Sequence, residues 1–453
     1  MLWAAKECGT ADFGDARLTQ RLVSFVAELT EHPQSSLPEA LGQWSATKAA
    51  HRFFSNEKVT GKAIYDSHRG ATLDNMQDQS MILAVQDTTI VTFTLHRKAE
   101  GLGPIGQTGL SGFFLHSCLA VSTKGVPQGI LAHRLWTRST EDKGKRELRR
   151  QRPLEDKESV RWIDVTKEVR TVVPDTTKVM MVGDRESDIF DLFLLAVNNH
   201  DFLVRAAWDR RLHDSDDHLW HVVENAPVLG QTTIKVPRRD ERPEREAILT
   251  LQAATVTLRT PHHRKKENLA PPTVNALLVR EQSPQDGEPP IEWMLLTTLP
   301  ITTFEEALPC LTWYTYRWRI ERYHYILKSG CQIEKLQLET KDRLMRALAV
   351  YSIVASRLLR LTYQARETPE APCTEALRES EWQALYTATH KTTVLPEQPP
   401  NMQTAVLWIA KLGGFLGRKS DGNPGLKVLW RGFRRLHDLT TMWEILHPPN
   451  IYG

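Results

Sequence analysis

Between residues 81 and 183 the chain spells three apolar strand-like runs, a helix and a fourth apolar run, and this order limits the fold more than any other stretch. The runs are 81–89, 113–121, 128–136 and 178–183; the turn Thr123-Lys124-Gly125-Val126-Pro127 separates the second from the third. A helix is expected over 157–172. Runs this apolar predict strands buried on both faces. The first run meets an acid at Asp87, and the fourth is followed at once by Asp184 in Asp184-Arg185-Glu186-Ser187-Asp188. A lone aspartate at a strand end ordinarily forms a turn or caps a helix, and Asp184 is placed to cap one starting near Ser187.

A third acid lies far downstream. The stretch 314–328 holds no proline or glycine and predicts one helix. At about 100° per residue, Tyr314, Glu321 and Lys328 fall on one stripe, with Arg317 about 60° to its side. One carboxylate, two cations and a phenol suit a site that holds a divalent metal and grips phosphates beside it. The plainer reading is a solvated face with an i,i+4 pair between Arg317 and Glu321. Two strand-end acids and a helical acid, on this order of elements, describe a ribonuclease-H-like nuclease core in an α/β fold. Adjacent strand ends would bring Asp87 and Asp184 together, and Glu321 would close the set. Three carboxylates without His or Cys favour a hard ion, Mg²⁺ with Mn²⁺ as substitute.

The stretch between Asp184 and Glu321 is too long for one connection in a compact core. After a fifth strand at 201–206 it alternates at 231–236, 247–258, 273–281 and 293–298, which reads as an antiparallel β insertion at about 207–300. Basic turns punctuate it, among them Pro237-Arg238-Arg239 and His262-His263-Arg264-Lys265-Lys266, and a charged segment precedes the first helix at 141–152. Residues 1–75 read as a helical unit, with Leu18, Leu22, Phe25, Val26 and Leu29 on one face of a first helix and Arg17 and Arg21 beside them. A second helix over 37–54 carries Trp44, Lys48 and Arg52 four apart, a spacing that serves a plain bundle or a helix holding phosphates. The expected division is therefore 1–75, a catalytic core over 76–340, and a helical unit over 341–453. Within the last, 367–400 reads as a linker or loosely packed helices, and 405–446 carries aromatic and aliphatic surface that suits either a partner chain or an ordinary small core.

A net charge of +3 over 453 residues implies no polyanion by itself, so a nucleic-acid interface must come from local patches. Five cysteines (Cys8, Cys118, Cys310, Cys331 and Cys373), scattered and without a C-x-x-C pair, argue against a disulfide framework or a zinc knuckle and fit a reducing cytoplasm. Neither a signal peptide nor an apolar run long enough to span a membrane is seen, so a cytoplasmic protein without a membrane partner is expected.

With these residues in place, the chain resembles the bacterial cut-and-paste DDE transposases of the IS-four group, Tn-five type, over nearly its whole length. The most specific likeness is the Y-(2)-R-(3)-E-(6)-K signature, met by Tyr314, Arg317, Glu321 and Lys328. The family's two aspartates fall on Asp87, in Gln-Asp-Thr-Thr, and Asp184, in Asp-Arg-Glu-Ser-Asp-Ile. Arg205, in Phe-Leu-Val-Arg, matches an active-site arginine, and Trp293, in Trp-Met-Leu-Leu-Thr, a tryptophan that stacks on a flipped base. Gly-Asp-Ala-Arg-Leu-Thr-Gln-Arg-Leu and Ile-Ala-Lys-Leu-Gly-Gly-Phe resemble the family's end-binding and dimerisation regions. The resemblance implies a nucleoid-associated homodimer that binds transposon terminal repeats and cleaves them with Mg²⁺ through a hairpin. The 3′ ends are then joined to target DNA. A catalytically silent DNA-binding relative and a nuclease without strand transfer are the alternatives.

Overall fold

The computed structural model describes residues 2–93, 99–106, 109–138, 157–197, 199–213, 216–236, 244–284, 289–418 and 421–448. The charged segment 141–152 and the turn Pro237-Arg238-Arg239 lie outside the described residues.

The apolar runs form strands as their composition demands: β1 (Met81–Thr92), β3 (Ser111–Ser122), β4 (Pro127–Trp136), β5 (Lys178–Gly183) and β6 (His200–Arg205), with a short β2 (Gly103–Pro104). Strand β1 runs antiparallel to β3 and parallel to β5, which is itself parallel to β6. Strand β1 is longer than expected. Asp87 is no strand end: it stays paired with Ser117 of β3, whereas the pairing with β5 stops at Val85 and Val182. The antiparallel ladder carries β1 past the point where its parallel neighbour ends.

The expected insertion supplies β7 (Val228–Val236), β8 (Arg245–Thr257), β9 (Thr273–Glu281) and β10 (Glu292–Thr297). These strands do not make a sheet of their own. They extend the first sheet, in the order β2-β3-β1-β5-β6-β10-β9-β8-β7 with β4 on β3, because β10 pairs antiparallel with the edge β6 would otherwise leave open. Period-two alternation loads both faces. Leu83 and Val85 of β1 join a core with the long helix α11 (Lys341–Glu367), whereas Ile82 and Ala84 join one with α6 (Val160–Val172).

At the N-terminus, α1 (Leu2–Cys8), α2 (Ala16–Glu31), α3 (Leu37–Leu41), α4 (Trp44–Ser55) and α5 (Gly61–Asn75) surround Phe25, Phe53 and Phe54. The single helix expected over 37–54 is two, because Gly42 adopts φ +64 and ends α3 there. Two short helices, α7 (Phe190–Phe193) and α8 (Leu219–Glu224), flank β6. The region 367–400 is also firmer than a linker: α12 (Glu379–His390) buries Trp382 and Leu385 in a third core with α13 (Met402–Leu412) and α14 (Leu426–Leu446). Of the apolar surface over 405–446, Trp430 and Leu436 are buried within the chain, and Met442, Ile445 and Leu446 remain exposed at the end of α14. No helix among the described residues is long and apolar enough to cross a membrane.

Candidate active site

The stretch 314–328 is three pieces, not one helix. Tyr314 closes α9 (Phe304–Thr315), Arg317 stands at the start of α10 (Trp318–Tyr325), Glu321 lies within α10, and Lys328 sits in a π-helical turn, Ile326–Gly330. The backbone stays right-handed at Tyr316, Arg317 and Ile326, so the chain bends without reversing. The wider π-helical turn departs from the regular helical period expected at Lys328. Its ammonium lies 3.6 Å from Glu334, which also accepts from the Thr92 amide at 2.9 Å.

Tyr314, by contrast, meets the sheet. Its ring packs edge-on against Trp293 of β10 at 5.2 Å and 64°, and its hydroxyl interacts with both Arg205 at the end of β6 and Arg317. Burial holds the phenol above its ordinary pKa. Arg205 also donates to the Glu292 carbonyl at 3.0 Å, which ties the end of β6 to the start of β10. Arg317 donates to Glu321 at 2.6 Å, yet its buried Nε has no hydrogen-bond partner among the described residues. A buried guanidinium donor left unpaired is costly unless an anion completes it.

Asp87 and Asp184 are held by the backbone next to them. Thr88 N–H donates to Asp87 at 2.8 Å, and Glu186 N–H donates to Asp184 at 2.9 Å as Asp184 caps the short 3₁₀ turn Arg185–Ser187. The carboxyl of Asp87 is pushed up to about 7, first by burial, then by the charge of Asp184, with Glu321 adding to it; the Thr88 amide and Arg317 oppose the rise. The three acids therefore share one electrostatic site. Among the described residues, however, no three His, Cys, Asp or Glu side chains are gathered into a metal cage. Like charges repel, which disfavours close approach of the three carboxylates without a cation; Glu321 is exposed and Asp184 half-buried. His324 lies 3.9 Å from Asp87 but is buried and pushed down to about 3, so it is neutral and offsets none of that charge.

Sequence reasoning missed the support behind these acids. Arg161 of α6 donates to Thr88 at 2.9 Å and to Glu186 at 2.5 Å, bridging the neighbours of both aspartates. A polar thread continues from Thr88 through His116 to Gln86, each contact at 2.9 Å. No local pattern marks Arg161, because its partners lie on two other elements. Gly183 is the second hidden requirement. A Cβ there would stand 2.2 Å from Ser187 Oγ and 3.0 Å from the ring of the buried Trp162. Gly183→Ala is expected to cost about 1–3 kcal/mol and to shift the Asp184 turn. Thermal unfolding and DNA cleavage read the two effects, and normal cleavage in this variant would count against a fixed Asp184.

The remaining expected contacts are on other surfaces. Arg17 and Arg21 are exposed on α2, and Lys48 and Arg52 on α4, where Lys48 stands 6.0 Å from the ring of Trp44. Arg17 is engaged by Asp15 at 2.9 Å.

Two family models match. Residues 1–59 match the transposase DNA-binding family, and residues 353–441 match the transposase Tn5 dimerisation domain.

Proposed function

We propose, for a Tn5-type transposase as supported by its matched DNA-binding and dimerisation domains, that Asp87, Asp184 and Glu321 hold Mg²⁺ (or Mn²⁺) and cut the ends of a transposable DNA. DNA and a second copy of the chain are its partners. The observation that carries the reading is the Asp87 carboxyl, raised first by burial and then by the charges of Asp184 and Glu321. Three carboxylates that repel one another beside a guanidinium form a site short of positive charge, and all their donors are hard oxygens. The strand arrangement supports a ribonuclease-H-like core: β1 lies between antiparallel β3 and parallel β5, with β6 parallel beyond.

When bound, the metal lowers the pKa of the attacking water or 3′-hydroxyl and stabilises the leaving oxygen. The protein's own groups do the rest. Arg317 presents its unpaired Nε to a phosphate, and Tyr314 and Arg205 align beside it. Lys328 joins them once it leaves Glu334. Trp293 offers its face to a base extruded from a strained hairpin, the intermediate formed when a nicked 3′-hydroxyl attacks the opposite strand. Arg21, Lys48 and Arg52, with Arg17, hold the backbone of the DNA end, and the freed 3′ ends pass to target DNA.

The test is a duplex carrying the DNA that flanks this gene, incubated with protein and Mg²⁺ and run on a denaturing gel. A double-length hairpin strand, followed by transfer of the cut end into a second plasmid, is expected. Cutting without transfer would favour a plain nuclease. Binding that never leads to cutting would favour a silent regulator.

A further inference from the structure

The active-site face continues into a cavity of about 930 Å³, of whose lining the cleavage reading uses only Arg205 and Trp293. It opens beside Arg205 and Trp293 and reaches β7, α10, α11 and the start of α14, so segments distant in the chain wall it. Its lining is rich in cations: Arg319, Arg322, Arg366 and Lys427 all face it. Their neutralisation is meagre. Arg319 meets Glu367 at 3.1 Å, while Arg322 and Lys427 have no ion pair among the described residues. Two acids among the described residues line the cavity: Glu292 is taken by Arg280 at 2.8 Å, and Glu244 is the one other carboxylate set against six lining Arg and Lys residues.

Nor are these cations merely waving in solvent. Arg319 lies 3.9 Å and Arg366 5.3 Å from the ring of Tyr363, which holds two guanidiniums against one aromatic ring. Arg366 also donates to the Pro424 carbonyl at 3.1 Å. Burial and the charges of Arg319 and Arg322 all weigh on Arg366. Like charges fixed side by side in a recess are costly unless a polyanion enters. Aromatic surface completes the wall, since Trp318 and Tyr325 also face the cavity and Tyr325 is backed by Trp430 at 6.0 Å.

We infer that this cavity binds a short unpaired DNA strand. Phosphates lie against Arg322, Arg366 and Lys427, and unstacked bases lie against the aromatic wall. Cationic grooves with aromatic platforms suit single strands, whose unstacked bases can lie on the rings. Resting on the transposase reading, the inference extends it: the strand that yields a base to Trp293 continues into the cavity.

The experiment uses the full chain without divalent metal and two labelled probes, a deoxythymidine strand of about twelve nucleotides and a duplex of the same length. The variant is Arg322→Gln with Lys427→Gln, both surface positions without ion pairs. The ratio of single-strand to duplex affinity is expected to fall about tenfold, and the salt slope on the single strand by about 1.4. With 4-thiothymidine in the strand, ultraviolet cross-links are expected on the peptide carrying Trp318, Arg322 and Tyr325. No single-strand binding by the wild type, an unchanged ratio in the variant, or cross-links confined to α2 and α4 would each overturn the inference. Because no cleavage is measured, such a failure leaves the nuclease reading standing. A protein that never cuts DNA can still pass.

Discussion

Asp87→Asn is expected to abolish metal-dependent strand cleavage, by on the order of a thousandfold, and at the same time to stabilise the metal-free protein. Both effects have one cause. The Asp87 carboxylate is buried beside Asp184 and near Glu321, and its pKa of about 7 says that the folded chain resists its ionisation. The penalty is absent below the ordinary carboxylate pKa near 4. It grows as pH rises to about 7 and is constant above. An amide removes it. Discounted for the 19% of the side chain that solvent still reaches, the gain at neutral pH is on the order of 2 kcal/mol. Thermal unfolding in a chelator at pH 5 and pH 8 reads it, with a larger gain expected at pH 8. Added Mg²⁺ should stabilise the wild type and not the variant. Equal melting of the two proteins at pH 8 would count against a strained, charge-crowded site.

Trp293→Ala is expected to slow hairpin formation roughly 5- to 150-fold, the range set by about 1–3 kcal/mol of lost stacking, while first-strand nicking changes little. The structure adds a complication that the sequence hid. Trp293 also backs Tyr314 at 5.2 Å, so truncation loosens the phenol between Arg205 and Arg317. Trp293→Phe keeps a ring in both roles and should recover much of the hairpin rate. Nick and hairpin falling together, with no recovery by phenylalanine, would make Trp293 a support for Tyr314 and nothing more.

Contrast between particular residues shows what could be read in advance. The strands around Asp87 and Asp184 follow from apolar runs that can be satisfied only in a buried sheet, and local composition fixes them. So do α2 and α11, whose helical periodicity is long and uninterrupted. That Asp184 and Glu321 act on the charge of Asp87 agrees with the element order, but the expected reason does not hold, since Asp87 lies inside β1 and Glu321 on a helix.

Three things were decided only by the tertiary structure. Period-two alternation announces strands β7 to β10 but not their partners; the open edge of β6 chose β10, and one sheet resulted. The helix of 314–328 looked continuous because helix propensity is local, whereas its breaks seat Tyr314 against Trp293 and turn Lys328 toward Glu334. The bridge from Arg161 to Thr88 and Glu186, and the cation-lined cavity shared by Arg322, Arg366 and Lys427, join residues far apart in the chain. Sequence fixes what each segment prefers by itself; which charges are brought face to face is settled by packing, since only packing removes the water between them.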